Sequence, residues 1–98
     1  MFDNLKKNMS QMAIEKLLKT YGLQLKHFTP GRLRLAMPGW KSREGDLRKL
    51  LEEMKQDPDV SAVEFTEVTG SILIAYRESA PMEKAAIDRW RAILEKYR

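Results

Sequence analysis

The residues best suited to chemistry lie in one short stretch, HFTPGRLRLAMP, at residues 27–38. His27 is the only histidine of the chain, and therefore its one strong nitrogen ligand for a metal or for haem iron. Arg32 and Arg34 follow a Pro-Gly pair, and guanidinium groups bind phosphate or carboxylate through paired hydrogen bonds. The stretch therefore predicts a site for an anionic ligand, an acidic partner or lipid head groups.

Neighbouring cations enlarge this predicted site. We expect Lys26, and Arg77 from an adjacent strand, to lie beside the two arginines, with Pro30-Gly31 forming the turn that positions them. The alternative is that the arginines lie on a solvated sheet face, or pair with Glu64 or Glu67 across the strands. Both interpretations place the arginines side by side on one face of a sheet.

Composition excludes the usual heavy-metal chemistry. The 98 residues include no cysteine, which removes thiolate ligation and disulfides together. One histidine cannot complete a tetrahedral site, but His27 alone would suffice as an axial ligand of haem or iron, with Arg32 or Arg34 pairing the haem propionates. The sequence contains no nucleophile–base pair, phosphate-cradling glycine loop or metal-ligand spacing, so we predict that the chain is not an enzyme.

Charge and hydropathy indicate a cytoplasmic domain with an anionic partner. Hydrophobic residues make up 43% of the chain and charged residues 33%, which is typical of a folded globular domain. No apolar run approaches the roughly 20 residues of a membrane span, and the N-terminal residues are amphipathic. The net charge is +4, and residues 1–45 hold nine Lys and Arg against three Asp and Glu. We expect an anionic partner to bind this basic half.

The elements that must position these residues begin with an amphipathic helix. Apolar residues recur every three to five positions from Phe2 to Tyr21, which predicts one helical stripe packed on the domain or on a partner. Asp3 is the predicted N-cap, and Gly22 the residue that ends the helix. We therefore divide the chain into an N-terminal helix, residues 1–22, and a domain, residues 23–98.

The domain reads as strand-helix-strand-strand-helix. The first strand lies within residues 23–37 and is interrupted at Thr29-Pro30-Gly31. A helix follows at residues 44–56, then a hairpin of strands at 60–68 and 71–77, and a last helix after Ser79 that buries Met82. This order predicts an α+β, ferredoxin-like β-α-β-β-α sandwich that lacks the fourth strand.

The missing strand leaves the arginine strand as a free edge in this prediction. An open edge invites pairing, so we expect a homo-oligomer through this first-strand edge or through the N-terminal helix. The alternative covers are the segment from Leu23 to Phe28, folding back on the arginine strand, and the N-terminal helix.

Three short motifs at matching spacing resemble the second type of heavy-metal-associated domain. They are Pro30-Gly31-Arg32-Leu33-Arg34, Asp59-Val60 and Thr69-Gly70-Ser71, and the resemblance covers residues 27–76. These domains are cysteine-free relatives of metallochaperones and of the metal-binding domains of P-type ATPases. The resemblance implies a metal-homeostasis setting, with a metal-transporting ATPase or an iron-handling compartment as partner. In the cysteine-bearing relatives the metal loop corresponds to residues 37–43, which hold no thiolate here.

The predicted function is therefore that of a small, non-enzymatic binding or docking module in metal homeostasis, accessory to a metal-transport or iron-storage system. The alternative is a metal-free scaffold for protein interaction and oligomerisation. RNA binding is less favoured, because the arginine strand has no aromatic residue on which a base could stack. No strong nucleic-acid or membrane signal is present.

Overall fold

The computed structural model describes residues 15–97, in which helices pack on one face of a β-sheet. The strands are β1 (Gln24–Thr29), β2 (Arg32–Ala36), β3 (Val60–Thr66) and β4 (Ser71–Tyr76). The helices are α1, described at residues 15–20, α2 (Glu44–Lys55) and α3 (Lys84–Glu95). None of the helices in this part of the chain is long and apolar enough to cross a membrane. The predicted cap at Asp3 and the apolar stripe from Phe2 to Met12 lie outside the described residues.

The described residues form a sheet of four strands, in the order β1-β2-β4-β3, and every pair is antiparallel. The predicted α+β class is confirmed, but the predicted sheet of three strands is wrong, because a further strand, β1, precedes the arginine strand. The cause is the turn at Pro30-Gly31, which divides residues 23–37 into two strands that pair with each other. β1 thus pairs with β2, which would otherwise be an edge strand.

The arginine strand is consequently an interior strand. β2 pairs with β1 on one side and with β4 on the other, so the prediction of a free edge there is wrong. Residues 24–29 fold back over it, which was one of the alternative covers. A second chain cannot pair with β2, and oligomerisation by another route stays a prediction.

The turn between β1 and β2 is held by backbone geometry and by a tyrosine. Gly31 has a φ of 84°, the positive value that the third residue of a type II turn requires, and Pro30 precedes it. The Gly31 carbonyl accepts a hydrogen bond from the backbone N–H of Tyr76 at 3.0 Å. Burial raises the pKa of Tyr76 to about 12, and its protonated hydroxyl donates to the Thr29 carbonyl at 2.9 Å. Both ends of the turn are therefore fastened to β4.

A β-bulge in β1 decides which way His27 points. Leu25 pairs with Leu35 and His27 pairs with Arg34, so Lys26 is an extra residue with no partner on β2. Side chains alternate along a strand, and one extra residue moves those beyond it to the other face. The bulge therefore places His27 beside Arg34 instead of on the face of Leu25.

The core lies between the sheet and the helices. It contains alternate residues of β2 and β4 together with the inner faces of α2 and α3: Leu33, Leu35, Ile72, Ile74, Tyr76, Leu47, Leu50, Leu51, Met54, Ala86, Trp90 and Leu94. β4 is central, as predicted. The prediction that Met82 is buried is wrong, because Met82 is 61% exposed. It ends a 3-10 turn, Ala80–Met82, and α3 begins only at Lys84, so the helical spacing does not reach it.

Helix α1 packs on the same core. Leu18 and Tyr21 are buried with the core residues of the sheet. Gly22 has a φ of 77°, and its N–H donates to the Lys19 carbonyl at 3.1 Å. The N–H of Leu23 donates to the Leu18 carbonyl at 2.9 Å, which completes a Schellman motif. Gly22 thus ends the helix, as the sequence predicts, and turns the chain into β1.

Candidate functional site

The sheet face away from the helices, here called the open face, carries three rows of side chains across four strands. Read from β1 to β3, the rows are His27, Arg34, Leu73 and Glu64; Thr29, Arg32, Ala75 and Ala62; and Gln24, Ala36, Ser71 and Thr66. Every one of these residues is exposed or half-buried, so no helix within residues 15–97 covers the face. In the part of the chain that the structure describes, the open face is therefore accessible to a partner.

Four residues at one end of the open face form the basic patch: Lys26, His27, Arg32 and Arg34. All four side chains are exposed. Arg34 lies directly opposite His27, at a Cα separation of about 5 Å, and Arg32 lies about 7 Å along the same strand. In the part of the chain that the structure describes, none of the four forms an ion pair. Within residues 15–97, nothing therefore neutralises the patch, and it can bind an external anion.

The acidic residues considered as partners for the arginines lie elsewhere. Glu67 forms an ion pair with Arg48, and the two charged atoms are 2.7 Å apart. Glu64 is on β3, two strand spacings or about 10 Å from Arg34. The prediction that Arg77 joins the patch is wrong, because the Arg77 guanidinium is bound by the carboxylates of Asp59 and Glu83.

Those carboxylates belong to an ion-pair network at one corner of the fold. Arg77 pairs with Asp59 and Glu83, each at 2.7 Å, and Arg89 bridges Asp57 at 3.0 Å and Asp59. Asp57 is only 7% exposed, and it also accepts the backbone N–H of Asp59 at 2.9 Å.

Burial alone would raise the pKa of the Asp57 carboxyl. The hydrogen bonds from Arg89 and from the Asp59 N–H outweigh burial and lower the pKa. The hydrogen bond from Arg77 likewise lowers the pKa of Asp59. Sequence analysis did not predict this network, and its only signal was the Asp59-Val60 motif. The network connects the end of α2 to β4 and α3, which gives the motif a structural role.

The third motif, Thr69-Gly70-Ser71, covers the end of the turn at residues 67–70 and the first residue of β4. Gly70 is buried with a φ of 69°, and a Cβ at this position would lie 3.0 Å from Trp40 Cδ1. Its carbonyl accepts the N–H of Met37 at 3.2 Å. Trp40 in turn packs edge-on against Phe65, with ring centroids 5.0 Å apart. This motif is therefore also explained by the fold.

The residues at the expected metal loop do not fit a heavy-metal ion. Loop 37–43 contains no thiolate or imidazole, and Trp40 packs over its junction with the Gly70 turn. Among residues 15–97 no three His, Asp or Glu side chains converge as a metal site. His27 has Lys26 and Arg34 as neighbours, which offer positive charge but no further ligand. Haem or iron ligation by His27 stays a prediction.

Comparison with known families agrees with the motifs. A family model described as Heavy metal associated domain 2 matches residues 4–94, which is nearly the whole chain. The chain belongs to this family. The resemblance that the three motifs carry over residues 27–76 is thus confirmed, and the Heavy metal associated domain 2 match extends beyond it at both ends. No curated protein and no solved structure matches the chain.

Within this Heavy metal associated domain 2 member, the structure brings the predicted site residues together. Lys26, His27, Arg32 and Arg34 share the open face, and Pro30 and Gly31 form the turn at one end of it. The turn motifs and the Asp59 network are accounted for by packing and hydrogen bonds. The two arginines of the Pro-Gly-Arg-x-Arg motif have no such structural role among the described residues.

Proposed function

We propose that the chain is a non-enzymatic docking module in metal homeostasis, and that its basic patch binds an acidic segment of a protein partner. The observation that carries the proposal is the placement of Arg32 and Arg34, exposed on one face without an acidic partner in residues 15–97. Like charges on adjacent positions of one sheet face repel each other, so the arrangement gains nothing for the isolated fold. An acidic ligand would offset that repulsion.

The spacing of the patch suggests the shape of the ligand. Arg32 and Arg34 are two residues apart on a strand, which separates them by about 7 Å. An extended peptide repeats its side-chain direction at the same distance. A segment with acidic residues at alternate positions, lying along β2, would place one carboxylate at each guanidinium. Arg-carboxylate pairs of this kind form two parallel hydrogen bonds.

The metal-homeostasis setting rests on family membership. A chain without cysteine cannot pass Cu(I) or Zn(II) between paired thiolates, so we assign it an accessory role. The partner that this role suggests is a metal-transporting ATPase or a protein of an iron-handling compartment, bound through an acidic segment.

The composition of the open face favours a protein ligand over RNA. RNA-binding sheets of this topology stack bases on aromatic residues of their central strands. Within the described strands, Phe28, Phe65 and Tyr76 all lie on the helix side. The open face thus offers charge without a stacking platform.

A titration followed by NMR tests the proposal. The probe is a blocked peptide, Glu-Thr-Glu-Thr-Glu, and its control is Gln-Thr-Gln-Thr-Gln at the same concentration. We expect the acidic peptide to shift backbone amides of residues 26–36 and of their neighbours on β4, and the control to shift none. Amide shifts spread evenly over both layers, or identical shifts with the two peptides, would overturn the proposal.

The bulge favours a second role for His27, since it presents the imidazole next to Arg34 on an accessible face. In this alternative His27 is the axial ligand of haem or iron, and the arginines pair with the propionates. Metal analysis and an absorption spectrum of the purified chain and of His27→Ala test it. Stoichiometric iron or a Soret band that the variant lacks supports ligation, and a metal-free spectrum of the wild type removes it.

A further inference from the structure

The two edges of the sheet are protected very differently. β1 carries the devices that discourage edge pairing: a bulge, the exposed Lys26 within it, and Pro30 directly after it. β3 has its register shift at its beginning, between Val60 and Ala62. From Ala62 to Thr66 it is regular and contains neither lysine nor proline. Among residues 15–97, β3 has no strand on its outer side, so alternate residues of this edge present unpaired backbone N–H and C=O groups.

A groove on the helix side adjoins this edge. It has a volume of about 310 Å³ and is bounded by β3 and α2. Its apolar lining is Leu51, Val63 and Phe65, and Arg48, Glu52 and Lys55 form its polar rim. Trp40 packs behind Phe65 and fixes its ring. A strand added to β3 would direct every second side chain into this groove, where apolar side chains would fit.

On the open-face side of β3, the edge carries a charged side chain, Glu64. Glu64 is exposed on the open face, between Ala62 and Thr66 along β3, and its neighbour across the ladder is Leu73. Within residues 15–97 it forms no ion pair. Opposite charges at facing positions of adjacent strands attract each other. A lysine or arginine on an added strand would supply the missing partner.

We propose that the β3 edge binds an extended segment of a partner protein as a fifth strand, with apolar residues at alternate positions and a lysine or arginine between them. A second copy of this strand is the poorer occupant, because residues 60–66 contain no basic side chain to offer Glu64. The inference goes beyond the proposed function, since it concerns the opposite edge of the sheet and a ligand of opposite charge.

Peptide binding to the full chain tests this proposal. The probe is the blocked peptide Thr-Thr-Val-Lys-Val-Thr-Thr, and the charge control replaces its lysine by glutamate. We expect the lysine peptide to shift the amides of residues 60–66 and slow their hydrogen exchange, and to bind about fivefold more tightly than the control. Glu64→Lys should invert that preference, whereas the matched variant Glu78→Lys, at an exposed site beyond β4, should leave it unchanged.

Backbone methylation separates strand addition from simple charge attraction. In an antiparallel pair, alternate amides of a strand point to its neighbour. Of two probes N-methylated at successive residues, only one should therefore lose binding. The proposal is overturned if both methylated probes bind equally, if the shifts fall on the basic patch, or if residues 60–66 are already protected in a dimer of the chain without peptide.

Discussion

Asp57→Asn probes the corner network, because it removes one charge while keeping the size of a buried side chain. The Asp57 side chain is 2% exposed. It accepts a hydrogen bond from Nε of Arg89 at 3.0 Å and another from the backbone N–H of Asp59 at 2.9 Å. The asparagine Oδ1 can still accept the backbone N–H. The neutral amide cannot form the ion pair with the Arg89 guanidinium, which keeps its contact with Asp59. The variant therefore isolates the charged part of the interaction between α3 and the end of α2.

The expected loss is about 2 kcal/mol in the free energy of unfolding at pH 7, the usual size for a hydrogen bond to a charged group at a buried site. In a chain of 98 residues this corresponds to a decrease in Tm of about 10 °C. The loss depends on pH with a definite sign. The pKa of Asp57 is lowered by folding, so its ionised form stabilises the native state above the unfolded pKa of about 3.9. That stabilisation disappears as the pH falls through the lowered folded value.

Urea unfolding followed by tryptophan fluorescence, at pH 7 and again at pH 3, measures both effects. The difference between Asp57→Asn and wild type should narrow at the lower pH, and the m-value should stay constant. Glu52→Gln, at an exposed acidic residue of α2, is the matched control and should change stability by less than about 0.5 kcal/mol. A loss at pH 7 no larger than that of the control, or a loss that is equal at both pH values, would refute the reasoning.

Two further pairs of variants test the turn and the bulge by the same urea assay. Gly70→Ala is expected to cost about 2 kcal/mol, because Gly70 has a positive φ and its new methyl group would press on Trp40; Gly45→Ala, in open space on α2, should instead be neutral or stabilising. Deleting Lys26 should leave a regular hairpin and change stability by less than about 1 kcal/mol. Deleting Leu25 should cost about 2 kcal/mol, because Lys26 then takes the core-facing position. Equal effects within either pair would contradict the assigned geometry.

The elements that sequence reasoning predicted best have strong local signals. Helix α2 has apolar residues at helical spacing, and the strands of the β3–β4 hairpin are separated by a turn with Gly70. The structure gives α2 at Glu44–Lys55, against a predicted 44–56. It gives β3 at Val60–Thr66, two residues shorter than predicted, because the turn takes residues 67–70.

The parts that were missed depend on contacts between distant residues. The sequence predicts only that Thr29-Pro30-Gly31 interrupts a strand. The hydrogen bonds from Tyr76 to this turn, and the pairing of the segments on either side of it, show that it forms a hairpin. The bulge at Lys26 has no sequence signature, since it is a matter of register between two strands. From the sequence alone, Asp57 is typical of a residue at the end of a helix. Its contact with Arg89, 32 positions later in the chain, forms only in the folded structure.

The candidate site was predictable in type but not in geometry. Arg32 and Arg34 at alternate positions of a strand must share a face, and that much follows from strand periodicity. The sequence does not show which residues lie beside them. It predicts Arg77 in the patch, whereas in the structure Arg77 forms ion pairs with Asp59 and Glu83. Glu64 and the groove beside β3 were not identified, because an edge strand is recognised only when the strand order is known.

The most direct test of the central claim is the affinity of the Glu-Thr-Glu-Thr-Glu peptide, measured by calorimetry at constant low salt. Arg32→Gln/Arg34→Gln should weaken binding about 30-fold, at about 1 kcal/mol for each exposed pair, with unfolding free energy unchanged. Lys49→Gln/Arg91→Gln removes the same charge from exposed sites on α2 and α3, and should retain nearly full affinity. Equal affinity for wild type and the arginine variant, or equal losses in both double variants, would contradict a binding site on the open face.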